Sequence, residues 1–173
     1  MDYELSEADI KALVPGVRII SYPDLEKYAR IEDVLDGEGR VVILFLTTGL
    51  SEGHWTCLHA NPATGVLEFF DSYGIRPDGE RRWLSASKLV ELHEKTPLLK
   101  PLLDRAKHEG WKVVFNPFHF QNEKDNSETC GRHVAVRLLH GGLNISQYKT
   151  YLTNSHLTPD QFVVEETRSV LHK

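Results

Sequence analysis

Cysteine is scarce: 173 residues carry only two, Cys57 and Cys130. That is too few for a disulfide scaffold, and a chain this long buries a core without one. A reducing, intracellular compartment is therefore the simpler setting. Long apolar runs are also lacking. The longest, Val41 to Leu46, is six residues, far short of what crosses a bilayer. Basic charge is not in excess: 25 Asp and Glu against 20 Lys and Arg leave a net charge of -5. Nothing in this balance suggests a generally basic surface for nucleic acid or membrane, although it leaves room for a local basic patch. The start, Met1-Asp2-Tyr3-Glu4-Leu5, is acidic and has no apolar h-region, so no signal peptide is expected. No internal repeat or low-complexity segment is visible.

What remains has the makeup of one globular domain, residues 1–173, with 40% hydrophobic and 26% charged residues. Ser6 to Leu13 reads as a capped helix stopped by Pro15-Gly16. Val17 to Ile20 is a short edge strand, and Pro23 to Leu35 a loop and helix. Arg40 to Thr47, apolar and β-branched, is a strand buried on both faces. A glycine-bracketed loop, 48–53, leads to strands at His54 to Ala60 and Val66 to Phe70, paired as a hairpin across Asn61-Pro62-Ala63-Thr64-Gly65.

Helical patterns follow at Trp83 to Lys95 and Leu98 to His108, then a strand at Trp111 to Phe115. A long polar connection, 116–129, is of the kind that carries function. Helices close the chain at Cys130 to His140, Ile145 to Leu152 and from Thr158 towards Leu171. Central strands with helices at both ends predict an α+β fold with a mixed or antiparallel sheet of about 4–6 strands.

The chemistry centres on Thr129-Cys130-Gly131-Arg132-His133. A cysteine at a helix N-terminus sits at the positive end of the macrodipole, which favours a thiolate. A nucleophile needs a base, and the base needs an orienting group. His54 and Asp71 are the candidates. A four-residue loop placing Ala60 opposite Gly65 also places His54 opposite Asp71, with Cβ atoms about 4.5–5.5 Å apart. A slip by one residue puts them on opposite faces, so the pairing sum must be odd. Taken singly, His54 reads as an ordinary histidine, Asp71 as a turn-former and Cys130 as an inert buried thiol. The combination carries the reading. Gln121, on the loop before Cys130, offers an amide donor for an oxyanion.

Gly53-His54-Trp55, Phe70-Asp71-Ser72-Tyr73-Gly74, Gln121 and Thr129-Cys130-Gly131-Arg132-His133 together resemble the adenovirus-maturation-protease and SUMO-protease superfamily of cysteine peptidases. The resemblance covers roughly His54 to Leu139 and leaves out the N-terminal segment and the last helix. It implies a papain-like fold with permuted element order. It also implies Cys130 as nucleophile, His54 as base and then acid, Asp71 as its orienter, Gln121 as oxyanion donor and Trp55 as a substrate-binding wall. Gln121 lies further before Cys130 than is usual in that superfamily, with Asn122 and Asn126 as substitutes.

The implied function is an endopeptidase of protein precursors, by preference a viral or mobile-element maturation protease processing capsid proteins, placed in host cytoplasm or virion. An isopeptidase of a ubiquitin-like modifier is the alternative, and an acetyltransferase on the same triad a second. A binding domain on a degenerate protease fold is the non-enzymatic reading. The partner is a protein substrate, and the acidic chain argues against a DNA cofactor. No cofactor is expected: Gly37-Glu38-Gly39 lacks the lysine of a phosphate loop. Cys57 and His59 lack a second pair for zinc, and His108, His119, His133 and His140 complete no metal pattern. Arg76, Arg81, Arg82 and Lys88 read as a solvated face.

Overall fold

The computed structural model describes residues 3–48, 53–122 and 128–171. Helix α1 (Glu7–Leu13) starts with the reciprocal cap written in its sequence: Ser6 Oγ accepts the Asp9 N–H at 3.2 Å, and Asp9 Oδ2 accepts the Ser6 N–H at 3.0 Å. Strand β1 (Ile19–Ser21), a 3-10 turn (Tyr22–Lys27) and the short α2 (Ile31–Val34) lead to β2 (Arg40–Leu46), β3 (Gly53–Asn61) and β4 (Val66–Phe70). A second 3-10 turn (Gly79–Trp83), α3 (Ala86–Glu91) and α4 (Leu99–His108) precede β5 (Lys112–Phe115). The chain continues through α5 (Cys130–Leu139), α6 (Ile145–Thr153) and α7 (Pro159–Leu171).

The strands form one five-stranded sheet in the order β1-β2-β3-β4-β5. The inner pairs β2–β3 and β3–β4 are antiparallel; the edge strands β1 and β5 run parallel to their neighbours. The expected α+β class with a mixed sheet flanked by helices is what the chain adopts. Side chains alternate along each strand, and β2 shows why its sequence is apolar throughout. Val42, Leu44 and Leu46 enter a core under α1, α5, α6 and α7, while Val41, Ile43 and Phe45 enter another under the first 3-10 turn, α2 and α4. A buried side chain of this size stabilises by roughly 1.5–3 kcal/mol, so neither face tolerates a polar residue.

The hairpin forms, but in a different register. Ala60 pairs with Leu67, not Gly65, and Asn61 pairs with Val66. Asn61 stays in the strand because its carbonyl accepts the Gly65 N–H at 2.8 Å and its Oδ1 accepts the Ala63 N–H at 3.0 Å. Gly65 takes the left-handed turn position at φ 71°, which glycine alone adopts without strain. The four-residue loop is therefore 62–65. The register moves by two residues, so the required parity survives.

The helix expected over Trp83 to Lys95 is cut short. Ser85 caps α3 by accepting the Lys88 N–H. Glu94 then turns away, its carboxylate accepting the Leu46 N–H at 2.8 Å while its carbonyl accepts from Arg81 Nε at 3.0 Å. A tertiary bond to the end of β2 outcompetes continuation of the helix. Of the loop 48–53, residues 49–52 lie outside the described residues, as does Asn126. Among the described residues, no helix is long and apolar enough to cross a membrane.

Candidate active site

His54 stands near the start of β3, and Asp71 immediately follows β4. Continuing the β3–β4 ladder past its last pair, Cys57 with Phe70, sets Thr56 across from Asp71 and Tyr73 across from His54. His54 and Asp71 are therefore diagonal neighbours on one face, not directly opposed as the four-residue-loop argument had them. His54 Nε2 lies 3.0 Å from Asp71 Oδ2, with the histidine 5% and the aspartate 1% exposed. The other carboxylate oxygen, Oδ1, accepts the Tyr73 N–H at 2.7 Å. The Asp71 carbonyl accepts from Asn116 Nδ2 at 2.7 Å. Both oxygens and the backbone of Asp71 are thus fixed, and the ring it holds cannot rotate freely.

Two aromatic rings complete the setting of the imidazole. Tyr73 stacks on it at 5.3 Å between centroids with an 18° tilt, and Trp83 meets it edge-on at 5.2 Å. Neither carries a site role from sequence alone. Tyr73 lies in the turn after β4, beyond the observed ladder, so the stack is a contact that only the fold supplies.

With Nε2 turned to Asp71, the ring presents Nδ1, and the Cys130 side chain shares the pocket wall with the imidazole. Burial pulls the His54 pKa down, but the Asp71 carboxylate and the Cys130 sulfur override it and hold it well above its ordinary value of 6.5. Cys130 is the first residue of α5, so its sulfur lies at the end carrying unpaired N–H groups. The other thiol, Cys57, is buried beside Glu68, and burial pushes its pKa far up. Gly131 follows Cys130 for a steric reason: a Cβ there would stand 3.0 Å from Leu5 Cβ and 3.1 Å from the Trp55 ring. A side chain there would need Leu5 or the Trp55 ring to give by a few tenths of an ångström.

Gln121 reaches the same site through Ser72. The Ser72 carbonyl accepts both the Phe120 N–H at 2.8 Å and the Gln121 N–H at 2.9 Å. The Ser72 hydroxyl donates to Gln121 Oε1 at 2.6 Å. Phe120 anchors the segment by stacking on Phe70. The bond from Ser72 marks Oε1 as the acceptor end of the Gln121 amide and Nε2 as its donor end. Ser72 was read only as part of a motif; its three bonds to the 120–121 segment give it a role in holding the amide.

These groups line one open pocket of about 430 Å³, with His54, Cys130, Gln121, Tyr73 and Trp83 in its wall and Glu4 and Glu128 beside them. Trp55 does not line it. The alternation that turns His54 to one face turns Trp55 to the other, where it is 2% exposed and its Nε1 donates to the Leu5 carbonyl at 3.1 Å. The aromatic wall residue expected at Trp55 is instead Trp83, which is 42% exposed. Deeper in, Glu80 is 2% exposed and Oε1 has no hydrogen-bond partner among the described residues. Burial pushes its carboxyl up to about 7, against the pull of the nearby His54. No group of three His, Cys, Asp or Glu able to hold a metal occurs among the described residues.

No family model matches the chain. Among solved structures it is similar to ChlaDub1 of Chlamydia trachomatis, with 12% identity, a TM-score of 0.47 and coverage of 98% of this chain and 91% of that one. It is also similar to the C-terminal Ulp1 protease domain in complex with Smt3, the yeast ortholog of SUMO, with 16% identity, a TM-score of 0.38 and coverage of 95% and 73%. The sequence relationship is stronger. Over 164 residues, 92% of this chain and 91% of the other, it is 34% identical to the uncharacterized protein V9 of Sputnik virophage. The chain belongs to the same protein family as that virophage protein.

Proposed function

We propose that the chain is a cysteine peptidase whose nucleophile is Cys130, and that it processes viral protein precursors. The observation that carries this reading is the line Cys130–His54–Asp71. A buried imidazole shares a pocket wall with the Cys130 thiol and lies 3.0 Å from a fully engaged carboxylate. A raised His54 pKa favours transfer of the thiol proton to the ring, giving a thiolate–imidazolium pair. The thiolate sulfur then bonds to a substrate carbonyl carbon. The developing oxyanion is met by the Gln121 amide and the backbone N–H of Cys130. His54 returns its proton to the leaving amine, leaving an acyl-enzyme, and then takes a proton from the water that hydrolyses it.

Kinship with a virophage protein supports a viral setting; structural precursors are the natural peptide substrates there. The test pairs two experiments. Cys130→Ala, which removes one sulfur and keeps the packing volume small, is expected to abolish cleavage of co-expressed virion proteins, read as new termini by mass spectrometry. Cleavage by the Cys130→Ala chain would refute the assignment. A ubiquitin-like modifier ending in a Gly-Gly aldehyde is expected not to be captured. Its covalent attachment to Cys130 would replace precursor processing with deconjugation.

A further inference from the structure

The last helix, which lies outside the sequence resemblance, sends one carboxylate back to the site. Asp160, in the first turn of α7, is bonded on both oxygens. Oδ2 accepts the backbone N–H of Asn122 at 3.0 Å. Oδ1 accepts the Thr129 hydroxyl at 2.7 Å and lies 2.8 Å from His133 Nε2. Asn122 directly follows Gln121, and Thr129 directly precedes Cys130. We infer that Asp160 is a positioning residue: a single clamp that sets the Gln121 amide against the Cys130 helix start and so builds the oxyanion site from two separate pieces of chain. This rests on the reading of Cys130 as a nucleophile.

Three details favour a clamp over an acidic residue that merely suits a helix N-terminus. A threonine at an N-cap ordinarily turns its hydroxyl onto the backbone of its own helix. Thr129 makes no such cap bond and donates to Asp160 instead. The first-turn N–H groups of α5, that of Cys130 among them, are therefore not used by the capping side chain. His133 is fully buried; burial holds its pKa below the ordinary value, and its Nδ1 has no partner among the described residues. A neutral ring protonated on Nε2 fits that environment and donates its one N–H to Asp160. Finally, the Asn122 bond contributes nothing to α7. It joins α7 to the segment that Ser72 holds from the other side, so Gln121 is fixed from before and after.

The variants are Asp160→Asn, which keeps the shape and one acceptor oxygen, and Asp160→Ala. Each is made alone and with Gln121→Ala, with thermal unfolding followed to establish that it folds. Exchange of the Asn122 amide proton reads the clamp itself and is expected to quicken about tenfold or more once its acceptor is lost. Misplacing an oxyanion donor is expected to lower kcat on a peptide substrate about 10- to 100-fold at unchanged KM. Alkylation of Cys130 by iodoacetamide develops no oxyanion and is expected to stay within about twofold of the parent. With Gln121 already alanine, the Asp160 change is expected to cost less than about twofold, because the donor it positions is gone.

Unchanged Asn122 exchange in Asp160→Ala, which removes the acceptor, overturns the inference. So does a parallel fall in kcat and alkylation, or an equal loss in both backgrounds. Should the parent chain turn over no acyl substrate at all, the peptidase reading fails by itself. Amide exchange then still decides whether Asp160 clamps.

Discussion

Replacing Glu80 by glutamine is expected to make the protein more stable in mildly alkaline solution and to leave it nearly unchanged in acid. The carboxyl is 2% exposed, and burial raises its pKa from 4.5 to about 7, opposed by His54 and reinforced by Asp71. An acid whose pKa is raised on folding binds its proton more tightly in the native state. Its contribution is thus fully present below the unfolded value of 4.5 and is lost as pH rises through about 7. At about 1.4 kcal/mol per tenfold change, the gap corresponds to about 3 kcal/mol. Glutamine has the same shape and no charge to bury. It is expected to match the parent within about 1 kcal/mol at pH 5 and exceed it by about 3 kcal/mol at pH 8.

Urea unfolding at the two pH values measures the difference, which corresponds to roughly 6–12 °C in Tm for a chain of this size. Glu94, the other buried carboxyl pushed up to about 7, is common to both proteins and cancels. Parallel stability–pH curves for parent and variant would refute the reasoning, because Glu80 would then titrate alike in folded and unfolded chains.

Two further substitutions test the site and its support. Asp71→Asn keeps the shape of the carboxylate but removes the charge that favours the imidazolium, so kcat is expected to fall about 10²- to 10⁴-fold with KM little changed; a parental rate on a peptide substrate would show that another group orients His54. Gly131→Ala drives a Cβ to 3.0 Å from Leu5 and 3.1 Å from Trp55, an overpacking expected to cost about 1–3 kcal/mol in urea unfolding; an unchanged midpoint would mean that the N-terminal segment simply moves aside.

Much of this architecture is legible in the sequence, because local rules and tertiary packing agree there. Ser6 with Asp9, and Thr158 with Gln161, announce capping boxes that both form. The apolar run of β2 announces its two-sided burial. What fails is decided at a distance. The hairpin register turned on whether Asn61 or Gly65 ended the loop, and the backbone demand at Gly65 settled it. Glu94 leaves its helix to reach Leu46, a bond no periodicity encodes. Trp55 as a wall residue came only from the resemblance; as a strand aromatic it suited the core equally, and strand alternation sends it there. Ser72, Tyr73, Trp83 and Asp160 were invisible as site residues because each acts through a neighbour that only the fold supplies.

The position of Cys130 also bears on how the protein is made. A chain emerges N-terminus first, and the parts of a domain form as their sequences become available. The hairpin carrying His54 and Asp71 is complete well before the cysteine helix has been synthesised, and α7 with its Asp160 comes later still. Under the peptidase proposal, a ribosome-bound chain holds a base and its orienting acid but no nucleophile, and then a nucleophile without the Asp160 support. On that proposal, hydrolytic power is expected to arrive only once α7 has been made, which would spare the nascent chain from cutting itself or its neighbours before then.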